Sequence, residues 1–121
     1  MPRSLCVLVD HPPYGCLRAA EAIRHARGAV GKGWEVVLAL AGDGVYTLLS
    51  GQTPRAGEWI SLSEAVAELI GEGKERASVL VEDRSLVARG LSANDLIQGV
   101  RPVSLDEIAG AMAGCDRTLI F

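Results

Sequence analysis

Three stretches of this chain are apolar without interruption and rich in β-branched residues: positions 5–9 (Leu5, Cys6, Val7, Leu8, Val9), 36–40 (Val36, Val37, Leu38, Ala39, Leu40) and 79–81 (Val79, Leu80, Val81). A strand with one face in water alternates apolar and polar residues, whereas a strand covered on both faces is apolar throughout. These runs predict central parallel strands with helices above and below. Two shorter segments, 100–103 and 118–121, bring the predicted count to five. Pro102 has no N–H for a ladder, which places its strand at an edge.

Between the strands the apolar period lengthens to that of a helix. Leu17, Ala20, Ile23, Ala26 and Val30 recur at helical spacing, and Gly31 and Gly33 supply stop signals. Cys16, Ala19, Ala22 and Ala29 widen this stripe into an alanine-rich face, broad enough to predict a protein interface there. Leu62, Ala65, Val66, Leu69 and Ile70 follow the i, i+3, i+4, i+7, i+8 pattern behind Ser61 and Glu64, the signature of a capping box. Ser104 and Glu107 repeat it before Ile108, with Leu105, Ala109 and Met112 completing the apolar face. Shorter helical pieces are predicted at 45–49 and 92–97, and 50–57 reads as a loop. Strand and helix alternate without repeat or linker over 121 residues, so the expected fold is α/β: one domain, 1–121, a three-layer α/β/α sandwich on a parallel five-stranded sheet.

Composition excludes several function classes. Hydrophobic residues at 49% against 22% charged provide a core and argue against disorder. Twelve Lys and Arg against fifteen Asp and Glu lack the basic excess of a nucleic-acid binder, so no direct nucleic-acid binding is expected. The apolar run 5–9 meets Asp10, His11, Pro12 and Pro13 too soon to be a signal-peptide core or a membrane span. Cysteines at 6, 16 and 115, with no CxxC or HxxxH, fit neither a disulfide framework nor a metal site. A reducing cytoplasm is the expected location, with no membrane contact, metal or cofactor.

Ligands of open α/β sheets collect beyond the carboxyl ends of the strands, and three loops fall there. In the first, 10–16, Cys16 is expected in the first turn of the following helix, where the dipole favours a thiolate and His11 and Arg18 are near in sequence. That makes Cys16 the candidate nucleophile by position; the favoured alternative is a small packing residue facing a neighbouring helix. Cys6 reads as core and Cys115 as filler before the last strand, while His25 is placed to pair with Glu21. The second loop, 41–46, reads GxGxxY and lacks the third small residue of a dinucleotide fingerprint, so Asp43 is expected to cap the next helix. The third, 82–90, gathers Glu82, Asp83, Arg84, Ser85 and Arg89; with no His in the local sequence to activate it, Ser85 reads as a capping or hydrogen-bonding group. The run 28–33 ends a helix instead of opening one and has no Ser or Thr after Lys32, which excludes a phosphate loop.

Taken together, Asp10 to Gly15, the segment Gly42-Asp43-Gly44-Val45-Tyr46 with Leu48, Leu49 and Gly51 to Pro54, the element Ser85-Leu86-Val87-Ala88-Arg89-Gly90-Leu91, and the ending from Ala113 to Phe121 resemble the DsrE/DsrF family of small sulfur-relay proteins, over essentially the whole chain. The second and third segments look closest to its DsrF/TusC branch. The resemblance implies a pocket or ligand site drawn from His11, Tyr14, Asp43, Ser85 and Arg89. It also implies trimers or hexamers, homomeric or mixed with DsrE-like and DsrH-like chains. In the DsrE/TusD branch the persulfide-carrying cysteine lies three residues before the Ala-Arg-Gly element, where this chain has Ser85; Glu82 stands where some relatives carry another cysteine. The leading expectation is therefore a cytoplasmic, non-catalytic accessory subunit of a sulfurtransferase assembly. The alternatives are a carrier that uses Cys16 and an anion-binding module built on the amides near Gly15 and Gly44.

Overall fold

A computed structural model describes residues 3–53 and 61–121. The predicted loop at 50–57 lies outside the described residues from position 54 on.

All five predicted strands form: β1 (Ser4–Val9), β2 (Glu35–Leu40), β3 (Ala77–Glu82), β4 (Val100–Val103) and β5 (Arg117–Ile120). They make one parallel sheet in the order β4-β3-β2-β1-β5. The three uninterrupted apolar runs are its three central strands, and β4, with Pro102, is an edge. Among the described residues four helices surround the sheet: α1 (Arg18–Gly31), α2 (Leu62–Gly73), α3 (Asp83–Ala88) and α4 (Leu105–Gly114). Segments 42–48 and 93–95 are 3-10 turns, where short helical pieces were expected.

Handedness distributes the helices. From β1 to β4 the chain steps in one direction along the sheet, so right-handed crossovers put their connections, including α1 and α2, on one face. Only the step from β4 to β5 runs back across it, which carries α4 to the other face. The main core consequently lies under α1 and α2, where Val7, Val9, Leu38, Leu40, Val66 and Leu69 are closed to solvent. A smaller cluster of Ala39, Leu80, Val103 and Ile108 lies under α4.

Two expectations about helix faces change. Of the widened stripe, Ala19 and Ala22 are fully buried, as is Ala26, so these alanines permit close packing inside the molecule, while Ala29 is half-buried and Cys16 exposed. On α4 only Ile108 is buried, while Leu105 is 58% exposed, because one helix reaches only part of a five-stranded face. The caps form as read: Ser61 Oγ accepts the Glu64 N–H at 3.2 Å and Ser104 Oγ accepts that of Glu107 at 3.2 Å.

Candidate functional site

The carboxyl ends of β2 and β3 are drawn together by Ser85. It lies in the first turn of α3, nearly buried, where its Oγ accepts the Gly42 N–H at 2.9 Å and donates to the Glu82 carboxylate. One turn further, Arg89 donates from Nε and Nη2 to Asp43 Oδ1 at 3.1 and 2.9 Å and from Nη1 to the Ser85 carbonyl at 3.1 Å. Its guanidinium also stands 6.0 Å from the centre of the Tyr46 ring. Of the five pocket residues named from the sequence, three thus meet directly: Asp43, Ser85 and Arg89. Asp43 is not a cap as expected. Ala41 occupies the cap position of the 42–48 turn without a side-chain bond, and the Asp43 carboxylate turns to Arg89, a stronger donor.

Gly44 explains why this turn can approach β1. A Cβ there would collide with the carbonyl oxygen of Val9, so only glycine lets the 42–48 segment lie against the end of that strand. The Gly42 and Gly44 amides are both taken within the chain, by Ser85 Oγ and by the Ala41 carbonyl at 3.0 Å. That removes them as free donors for an anion.

The first loop divides differently. His11 Nδ1 lies 2.7 Å from Asp10 Oδ1, outside hydrogen-bond geometry. Tyr14 makes a separate constellation: its hydroxyl donates to Gln52 Oε1 at 2.6 Å and accepts the N–H of Leu62, the first residue of α2, at 3.4 Å. Gln52 in turn donates to the carbonyls of Tyr46, Thr47 and Leu49, closing the end of the 42–48 turn. Sequence reasoning missed Gln52 and the Gly42 amide as partners, since Tyr14 is 38 positions from Gln52 and Gly42 is 43 from Ser85, separations that no local spacing reports.

Cys16 is exposed but is not in the helix. Gly15 has a left-handed φ of +95°, the cap position falls to Leu17, and α1 begins at Arg18, so Cys16 precedes the first turn in which the dipole acts. Cys6 is fully buried, and burial first, then proximity to Cys115, pushes its thiol up to about 11. Cys115, half-buried, is raised chiefly by burial, against a hydrogen bond from Ser4 that favours the thiolate. It lines a cavity of about 340 Å³ at the amino end of the sheet, with Ser4, Glu35 and Ser78, away from the three loops. Among the described residues no group of His, Cys, Asp and Glu is arranged to hold a metal, and no helix is long and apolar enough to cross a membrane.

A parallel sheet of this order, flanked by helices and carrying its polar side chains beyond β1, β2 and β3, defines a small α/β/α protein with its candidate site on the carboxyl edge. The chain belongs to the DsrE/DsrF-like family, whose model matches residues 3–121. It is 32% identical to the uncharacterized protein MK0008 of Methanopyrus kandleri over 117 residues, covering 97% of this chain and 93% of that protein. It is 30% identical to the uncharacterized protein MJ0989 of Methanocaldococcus jannaschii over 116 residues, covering 95% and 96%. The crystal structure of the ychN protein from E. coli superposes with a TM-score of 0.84 at 26% identity, covering all of both chains. MTH1491 of Methanobacterium thermoautotrophicum, a protein of unknown function, shares the fold with a TM-score of 0.76 at 19% identity, again over 100% of both.

Proposed function

We propose that this chain is a DsrF/TusC-like accessory subunit of a cytoplasmic sulfur-relay assembly, a single unit over 1–121 that supplies surface and pocket walls but no carrier cysteine. Ser85 carries the reading. It occupies the position where the resemblance places the carrier thiol, and a hydroxyl cannot hold a persulfide. Its oxygen is also committed on both sides, accepting from Gly42 and donating to Glu82. Asp43, Arg89 and Tyr46 then form a fixed charged wall beside it. In this reading His11 and Tyr14 shape the rim of the same edge, and the partners are copies of this chain or DsrE-like and DsrH-like chains, in trimers or hexamers.

A second reading is favoured by one observation: of the three cysteines, Cys16 alone is exposed. A carrier must reach a donor, so relay through Cys16 is the competing function. Intact-mass measurement after treatment with a persulfide donor separates the two. The accessory reading expects relay with a DsrE-like partner to survive Cys16→Ser. If wild type gains one labile sulfur that Cys16→Ser lacks, and relay is lost with it, the carrier reading replaces this one.

A further inference from the structure

The segment between β1 and α1 is fastened at few points. Among the described residues, 11–16 take part in no main-chain hydrogen bond: the Asp10 N–H goes to the Phe121 carbonyl, and the next such bond runs from Glu21 to Leu17. What holds the segment is the buried ring of Pro13 and, beside it, the Tyr14 hydroxyl. Gly15 follows with its left-handed φ of +95°, and then Cys16 and Leu17, both exposed. One side-chain group therefore divides a tethered stretch from a free one, with a glycine hinge at the boundary.

That hydroxyl is bound to a residue whose own orientation is fixed. Gln52 Nε2 donates to the carbonyls of Tyr46, Thr47 and Leu49 at 3.1, 3.1 and 3.0 Å, so the amide can sit only one way round and Oε1 must face Tyr14. Tyr14 must then donate to Oε1, at 2.6 Å, which leaves its oxygen to accept the Leu62 N–H. The three carbonyls close the far end of the 42–48 turn, and its near end is pinned by the Gly42 N–H to Ser85 Oγ and by Asp43 to Arg89. A continuous chain of bonds thus runs from the hinge beside Cys16 to the Ser85 edge, through a single short turn.

We propose that Tyr14 is a latch with two positions, which couples the freedom of the Cys16 segment to the Ser85 edge. Closed, as in this structure, it holds residues 14–17 down and keeps Gln52 across the end of the turn. Open, the segment swings on Gly15, Gln52 Oε1 loses its donor, and the turn that carries Gly42 and Asp43 loosens. The coupling is reciprocal: whatever loosens the turn from the Ser85 side also weakens the hold on Tyr14. Tyr14 and Gln52 act here as positioning residues, so that access to the exposed thiol is governed from across the edge. The latch rests on neither reading of the sulfur chemistry, since it concerns mobility and moves no sulfur.

Two measurements test it, each reading one end of the chain of bonds in a variant of the other end. In Tyr14→Phe, which keeps the ring and removes only the hydroxyl, exchange of the Gly42 N–H followed by NMR should quicken about 5-fold, the lower end of coupling between two sites. In Ser85→Ala, alkylation of Cys16 by N-ethylmaleimide, followed by intact mass with Cys16→Ser as the blank, should quicken by about the same factor. The double variant should alkylate no faster than the faster of its two parents, because both substitutions open the same latch. Leu69→Ala, which weakens the core without touching the latch, should leave the alkylation rate unchanged. An unchanged rate at either far end, additive effects in the double variant, or an equal rise in Leu69→Ala would each overturn the latch.

Discussion

At Cys6 the thiol is closed to solvent, and the cost of a buried thiolate raises its pKa from 9.0 to about 11. A folded value above the unfolded one means that the folded state keeps its proton longer, so this contribution is intact below pH 9.0 and is lost as pH climbs towards 11. Stability should decline by up to about 1.4 kcal/mol per pH unit across that window. Urea titrations at several alkaline pH values should show that slope in wild type and a shallower one in Cys6→Ala; equal slopes would remove the assignment. Ser85 makes a second case. Ser85→Ala strands the Gly42 N–H and deprives Glu82 of its donor, and an unsatisfied buried group costs about 1–3 kcal/mol. A loss under about 0.5 kcal/mol in urea unfolding would show that the hydroxyl does not tie β2 to β3.

Among the elements, α2 shows how far a sequence pattern carries. Its cap, start and apolar face were all legible, and Leu69, at the centre of that face, is fully buried. Leu69→Ala should cost about 2–5 kcal/mol, measured by denaturant unfolding, because the cavity it leaves is lined by side chains of a packed core. The 42–48 turn was less legible. Its path depends on Gly44 lying against Val9, and Gly44→Ala forces the turn away from β1 at a cost of about 1–3 kcal/mol. That displacement also moves Asp43 off Arg89, so a crosspeak or fluorescence reporter on Tyr46 should shift; an unchanged Tyr46 environment would contradict the coupling. For α1, spacing located the helix but not its start, since Cys16, expected in the first turn, precedes the cap at Leu17. It could not say whether the alanines face a neighbour within the chain or outside it, since both require the same small side chains.

At the scale of the whole molecule, stability is graded across the sheet. β1, β2 and β3 are paired on both sides, whereas every residue of β5 is exposed. Amide exchange should be slowest in the three central strands.

The apolar runs, the caps and Pro102 determined by themselves that five parallel strands would alternate with helices, and which strands would be central, because burial on both faces demands uninterrupted hydrophobicity from local residues. They also placed Asp43 after β2 and Ser85 and Arg89 after β3, at one edge of the sheet, and the family resemblance grouped them into one site. Which atoms meet was decided only by the tertiary structure: the Ser85 hydroxyl and the Gly42 amide are 43 positions apart, as Arg89 and Asp43 are 46 apart. Such pairs leave no periodic trace. Cys16 shows the same limit at short range, since one left-handed glycine at position 15 moves the helix start past it. The unequal covering of the sheet follows from the direction of the last crossover, a property of strand order that no single segment contains.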